Sequence, residues 1–367
     1  MLSNSKGGVF TVTMKWAKEL AHRGCDVNIF FLTRSEETKR LKSSTRIRIN
    51  YLTTSNFLPN LRAIAKFLFH NRPDVIHTNF ASLGILAIFK KYVFKIPFIY
   101  TTHGIPEPWL QFSLIDKIAY TIEYYLLPFV ASQSSAVVAV SRYVKDMLKR
   151  RYNIDSEVIY HGIDVDKFER ENKTRGKRKL GYKETDFIIL FVGKLHPCKD
   201  PLTLIRSISK AVEKNQDLLL IMVGDGELYQ EVKKEVIKLN LWRCVKILRQ
   251  VTNKKVKTLY YAADVFVLPS VGEAFGITLL EAMANSVPVI ASNSGASPEV
   301  IGNAGILFTR GDYKELADKI LSLSHNKELS RKLSEAGLER VKETFSWGDK
   351  IDQYVKVYKI ICHSKFK

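Results

Sequence analysis

Cysteine is scarce in this chain, with four among 367 residues, and none of Cys25, Cys198, Cys244 and Cys362 stands in a C-x-x-C pair. They lie far apart in the chain, so neither a zinc site nor a disulfide framework is indicated, and free thiols in a reducing cytoplasm are expected. Long apolar runs are also missing. No uncharged stretch approaches the roughly 20 residues that span a bilayer, and no signal peptide opens the chain, so any membrane contact is expected to be peripheral. Acidic residues are few beside basic ones, 37 against 57, for a formal charge of +20. The excess is spread over both halves rather than gathered in a tail, and it points to an anionic partner: nucleic acid, an acidic lipid surface or phosphorylated substrates. No recognition helix or aromatic-basic strand motif is found, which argues against nucleic acid. The G-x-G-x-x-G dinucleotide fingerprint is missing too, which argues against an oxidoreductase. No aspartate-rich motif stands at a strand end to hold a metal.

What is present is enough for two domains: 367 residues, 46% of them apolar. In the first half, apolar runs read as strands at 26–33, 46–52, 75–78, 98–102, 136–140 and 157–160, with helical spacing at 9–23, 58–71, 82–94 and 141–151. Strands separated by helices imply a mainly parallel sheet covered on both faces, with ligands at the strands' C-terminal ends. His77 and His103 fall at such ends, and His77 reads as a core or rim histidine. Residues 167–184 are charged, poor in apolar side chains and contain Gly176 and Gly181, as expected of a linker. A second alternation follows, with strands at 187–192, 218–223, 245–248, 265–268 and 287–291. The expected organisation is a first domain at 1–166, a linker at 167–184, a second domain at 185–345, and a helix at 346–367 that returns to the first.

The stretch from Leu268 to Met283 reads as a strand end, a loop begun by Pro269, and a helix entered at Gly276. Glu273 lies in the loop and Glu281 in the helix. The first-turn amides near Gly276, Ile277 and Thr278 suit a phosphate, and the two carboxylates suit hydroxyls on either side of it. At this spacing alone, a solvated loop charge and a surface helix residue would be the ordinary reading. Lys194 and Lys199 lie in the loop after the 187–192 strand, where two cations can neutralise a departing diphosphate. Taken alone they would be surface lysines.

Together these runs resemble the retaining glycosyltransferases of family four. The glutamates match the family's Glu-x7-Glu motif; Tyr-Thr-Thr-His at His103 resembles its active-site histidine, and Gly7-Gly8 its N-terminal glycine loop. His161-Gly162-Ile163-Asp164 is similar to the Asn-Gly-Val-Asp signature, with His for Asn. Lys194 stands where arginine is usual, Asp200 replaces the glycine after Lys199, and Ser294-Gly295-Ala296-Ser297-Pro298-Glu299 is similar to the Gly-Gly-x-x-Glu loop.

The resemblance implies an α/β protein of the GT-B type: two facing Rossmann-like, doubly wound parallel-sheet domains with a cleft between them. It implies transfer of a sugar from a nucleotide diphosphate sugar, UDP favoured, to a glycan or lipid-linked acceptor in envelope polysaccharide or lipopolysaccharide synthesis. It further implies no cofactor and no required metal. His103 and Glu273 would be catalytic, Glu273 through the sugar hydroxyls. Gly8, Lys194, Lys199 and the turn Phe275, Gly276, Ile277 and Thr278 would serve the donor's phosphates, Glu281 its ribose, and Arg249 and Val251 its base. A binding-only relative is the alternative.

Two expectations concern the first half. The aromatic run 109–132 is explained mostly by core packing, with contact to an anionic inner membrane face as the alternative, aided by Lys90, Lys91, Lys95 and by Lys149, Arg150, Arg151. Only Met1 and Leu2 precede the Gly7-Gly8 loop, too few for the strand that such a loop normally leaves. A native start further upstream is therefore expected.

Overall fold

The structure is a computed structural model that describes residues 8–33, 46–53, 66–107 (without 68, 83, 85–87 and 89–94), 113–165, 172–249 and 251–363. The chain divides into two compact units, Met1–His161 with Trp347–Lys367, and Gly162–Ser346.

In the first unit, α1 (Gly8–His22) precedes β1 (Val27–Thr33), β2 (Ile47–Thr53), β3 (Ile76–Thr78) and β4 (Phe98–Thr102). Then come α2 (Leu114–Gln133), β5 (Ala136–Ala139), α3 (Arg142–Tyr152) and β6 (Glu157–Val158). Among the described residues, β1 pairs with β2, and β3-β4-β5-β6 form a second sheet; all pairings are parallel. Every residue of β4 is buried, as a central parallel strand requires. Ser141 starts α3 by accepting from the Val144 amide, and Asn153 ends it in the left-handed conformation, the two local signals that bound a short helix.

The second unit opens with α4 (Lys173–Lys179), β7 (Phe187–Val192), α5 (Pro201–Ala211), β8 (Leu218–Val223), α6 (Tyr229–Lys238) and β9 (Val245–Leu248). It continues with α7 (Asn253–Ala262), β10 (Val265–Leu268), α8 (Ile277–Ala284), β11 (Val289–Ser292), α9 (Ser297–Ile301), β12 (Ile306–Phe308), α10 (Tyr313–His325) and α11 (Lys327–Thr344). Its parallel sheet has the order β12-β11-β10-β7-β8-β9. The chain therefore runs outward from β7 through β8 to β9, then returns to the other side of β7 as β10. That reversal makes the C-terminal ends of β7 and β10 a switch point, where open α/β sheets bind ligands. The closing helix α12 (Trp347–His363) belongs to the first unit, where the Trp16 and Tyr354 rings meet edge-on at 4.6 Å and Arg23 pairs with Asp352 at 2.9 Å.

The expected linker is corrected over its described part. Residues 173–179 are a helix of the second unit, packed on α7, because its charges find partners: Lys177 is buried and pairs with Asp264 at 2.8 Å, and it also donates to the carbonyls of Glu184 and Asp186. Several expectations lie outside the described residues: Met1-Leu2 and the Gly7 loop, parts of the helices at 58–71 and 82–94, Lys90-Lys91, Trp109, and residues 166–171.

Core packing explains less of the 109–132 run than expected. Within α2 it accounts for Leu127, Val130 and Ala131, whereas Ile115, Ile118, Ile122, Tyr125 and Phe129 are exposed.

Candidate functional site

The loop after β7 is the first wall. His196 caps a short 3-10 turn, Pro197–Lys199, whose last residue is Lys199. Asp200 follows at φ 44°, ψ 54°, a left-handed conformation that usually selects glycine. Its side chain offsets the strain as the N-cap of α5, accepting from the Thr203 amide at 3.3 Å and the Thr203 hydroxyl at 2.7 Å. The departure from glycine thus keeps the same backbone turn.

The loop after β10 is the second wall, on the neighbouring strand. It carries Glu273, whose Oε2 accepts from the Ser270 hydroxyl at 3.1 Å and from the Lys199 ammonium. Burial alone would lower the Lys199 pKa, but the Glu273 carboxylate beside it outweighs that and holds the ammonium above its ordinary value. Lys199 is therefore charged at neutral pH, and the pair sits at the switch point.

Backbone bonds join the loops: Val271 N to Cys198 O at 2.8 Å, and Ala296 N to Glu273 O at 2.7 Å. Gly276, at φ 95°, turns the chain into α8 with no capping side chain. The first turn at Ile277 and Thr278 therefore presents its positive end without a protein carboxylate on it.

Glu281 lies in the second turn of α8. Its Oε2 accepts from the Tyr260 hydroxyl at 2.8 Å. Burial pushes its carboxyl above the usual range, and the Tyr260 bond opposes that.

On the far side of β7, the Gly224 to Glu227 turn after β8 supplies carboxylates. Lys194 Nζ meets Glu227 at 2.6 Å, and Arg249 meets Asp225 at 2.8 Å while lying over the Tyr229 ring at 4.5 Å. Asp225 and Glu227 were not expected as partners.

Lys194, Lys199, Arg249, Val251, Glu273, Gly276, Ile277, Thr278 and Glu281 thus all lie beyond the C-terminal ends of β7, β9 and β10 in one sheet, β7 and β10 being neighbours and β9 at its edge. Phe275 is the exception in kind. Its ring is 3% exposed and edge-on to Phe345 at 5.8 Å, so only its backbone can face a ligand.

His103 and Gly8 lie in the first unit. Gly8 is the first residue of α1. His103 follows β4 and has both ring nitrogens occupied: Nε2 meets Asn79 Oδ1 at 3.0 Å and Nδ1 meets His161 Nε2 at 3.3 Å, the rings stacked at 5.2 Å. The Asn79 oxygen can only accept, so His103 is protonated on Nε2, and in the neutral ring Nδ1 accepts from His161. His77 meets the Tyr358 hydroxyl and the Thr101 hydroxyl, each at 2.7 Å. Desolvation lowers all three, His77 to about 3, His103 to about 4 and His161 well below its ordinary value. The His103 ring is therefore neutral and held at both nitrogens. His161, read as a bare deviation from Asn, is the partner that orients His103; its stacking was not visible in the spacing.

Residues 6–167 match the model of glycosyltransferase family 4, and residues 172–340 that of glycosyl transferases group 1. An uncharacterised glycosyltransferase of Methanocaldococcus jannaschii is 30% identical over 308 residues, 83% of this chain and 80% of the relative. The UDP-Gal:alpha-D-GlcNAc-diphosphoundecaprenol alpha-1,3-galactosyltransferase of Escherichia coli is 26% identical, covering 88% of this chain and 86% of its own. The crystal structure of Anabaena HepE in complex with UDP and glucose superposes with a TM-score of 0.80 at 20% identity, covering 98% of each chain. Two Rossmann-like parallel-sheet units, matched in order by both family models and by solved GT-B structures, place the chain among the family four, group 1 glycosyltransferases: it is a glycosyltransferase of the GT-B type.

Proposed function

We propose that the chain is a retaining glycosyltransferase that takes a hexose from a UDP-sugar and delivers it to a lipid-linked or glycan acceptor in cell-envelope synthesis. The observation that carries this reading is the pairing of Lys199 with Glu273 at the switch point, one turn of chain from the uncapped α8 N-terminus. In this reading the α8 amides and Lys199 bind the diphosphate and stabilise its charge as the anomeric bond breaks. Glu273 Oε2 is already shared by Ser270 and Lys199, and its other oxygen receives the hexose hydroxyls. Glu281 receives the ribose. Neither glutamate is the nucleophile; the acceptor attacks from the leaving diphosphate's own face, and a diphosphate oxygen takes its proton. The UDP preference draws on the HepE complex and on the E. coli galactosyltransferase, whose name also supplies the lipid diphosphate acceptor.

Calorimetric titration tests the donor site. Lys199→Ala and Glu281→Ala are each expected to weaken nucleotide diphosphate binding by about 1.5 to 3 kcal/mol, the worth of a hydrogen bond to a charged group. His103→Ala is expected to lower turnover with little change in that affinity. Unchanged binding in both of the first two variants removes the assignment, and products from a panel of nucleotide sugars, read by mass spectrometry, name the donor.

Peripheral attachment to an anionic membrane belongs to the same reading. Ile115, Ile118, Ile122, Tyr125 and Phe129 recur at three and four residues along α2 and so share one exposed face. The apolar face suits a bilayer surface, and the chain's formal charge of +20 suits an acidic one. No helix among the described residues is long and apolar enough to cross a membrane. Sedimentation with phosphatidylglycerol vesicles is expected to capture the protein at low salt, less so at physiological ionic strength where screening acts over about 8 Å, and not after Ile118→Asp with Ile122→Asp. Failure to bind at low salt turns the reading toward a soluble acceptor.

A further inference from the structure

We propose that Tyr260 makes this site select a ribose over a deoxyribose, acting as the positioning residue for Glu281. This rests on the reading of Glu281 as the ribose acceptor.

The terminal torsion of a glutamate is broad and roughly two-fold, so an unrestrained carboxylate has no single plane to offer. Recognition of a cis-diol needs one. Two hydroxyls must find acceptor lone pairs in a fixed direction, and a carboxylate has about four such sites. Tyr260 removes the freedom by donating to Oε2 at 2.8 Å, which uses one site and leaves the rest for a ligand.

The donor is itself held. Tyr260 is buried in α7, with its ring 5.8 Å from that of Phe266 in the adjacent strand β10. The main chain of Glu281 is anchored separately, its carbonyl accepting from the Asn285 side chain at 2.7 Å. The hydroxyl thus comes from one helix, the carboxylate from another, and the strand between them in sequence supports the ring.

Electrostatics act in the same direction. Burial favours the protonated carboxyl, which would turn one acceptor oxygen into a donor, and the phenol's bond counters this. Burial and the neighbouring Glu281 keep the phenol protonated by pushing it well above its ordinary value. Tyr260 therefore stays a donor throughout the working pH range.

Loss of the hydroxyl should damage diol recognition specifically, while a general loosening would weaken every nucleotide alike. The test is a ratio. UDP, ADP and GDP are titrated into the full chain by calorimetry, and the tightest is compared with its 2′,3′-dideoxy counterpart. In the wild type the ribonucleotide is expected to bind about tenfold tighter or more, a difference of about 1.4 kcal/mol. In Tyr260→Phe the ratio is expected to collapse to within about threefold, with Tyr260→Met as the second variant should the first not fold. Glu281→Gln separates the two layers of inference. If it leaves the ratio at the wild-type value, or if none of the three nucleotides binds the wild type, the ribose reading itself falls and this inference with it. If Glu281→Gln collapses the ratio and the Tyr260 variants keep it, Glu281 reads the ribose without Tyr260 and the inference is overturned.

Discussion

Acidification from pH 6.5 to 5.5 is expected to cost the first unit roughly 2 to 3 kcal/mol of stability, a large share of what holds a domain folded. The source is the set of three histidines, His77, His103 and His161, that folding holds neutral. Their folded values lie at about 3, about 4 and well below the ordinary one, against 6.5 when free. A folded value below the unfolded one means that the unfolded chain takes up the protons first. The stability is thus fully present above pH 6.5 and is lost as the pH falls toward the folded values. Each histidine contributes up to about 1.4 kcal/mol per pH unit in that window. Trp16, Asn79, Thr101, Tyr354 and Tyr358, which the rings contact, are all uncharged. Urea unfolding at the two pH values measures the effect, with Trp16 as a local fluorophore, and His161→Asn should flatten the dependence by about a third. A urea midpoint that does not move between pH 6.5 and 5.5 would show that the rings are not excluding protons.

Gly295→Ala is expected to lower transfer activity by about a hundredfold, the scale on which a displacement of about 1 Å acts. A Cβ at this position would lie 2.4 Å from both the amide nitrogen and the carbonyl oxygen of Glu273, backbone atoms that cannot swing aside, and the φ of +62° is unfavourable for alanine in any case. The surrounding loop is what ties Glu273 down: Ala296 N bonds Glu273 O at 2.7 Å, and the Ser294 hydroxyl donates to Val271 O. A methyl group here must push residues 272–273 away and separate the carboxylate from Ser270 and Lys199. Stability should fall as well, by about 1 to 3 kcal/mol, as for other overpacked sites. Activity assays with urea unfolding decide it. Wild-type turnover in a Gly295→Ala chain with an unshifted midpoint would sink the geometry.

The strands of the second unit at 187–192, 218–223, 245–248 and 265–268 have the bounds expected from sequence; 187–192, 218–223 and 265–268 are apolar runs buried along most or all of their length, and 245–248 is the edge strand, with Lys246 exposed. Chain order alone also implied that the Lys199 and Glu273 loops follow strands. That those strands are neighbours depends on the return of the chain across β7, which no local pattern encodes. The same limit explains the linker. Lys173, Lys177 and Arg178 looked solvated because Asp264, the partner of the first two, lies in a distant part of the chain. It explains the carboxylates paired with Lys194 and Arg249, and the hydroxyls of Ser270 and Tyr260, none of which carries a periodic signal. Phe275 is the converse case: a motif position whose ring packs in the core, so that only its backbone is open to a ligand. Exposure of the α2 face was hidden for a different reason, since apolar spacing marks a face without saying what covers it.

The return of α12 to the first unit has a consequence for synthesis. The first unit takes its residues from both ends of the chain, with Gly162–Ser346 between them. A ribosome adds about 5 to 20 residues per second, so Trp16 and His77 emerge long before Tyr354 and Tyr358, the aromatic residues that they pack against. The half that is translated first is therefore the half that is finished last. Throughout production of the second unit, the seam that Trp16 and His77 share with α12 has no helix to cover it.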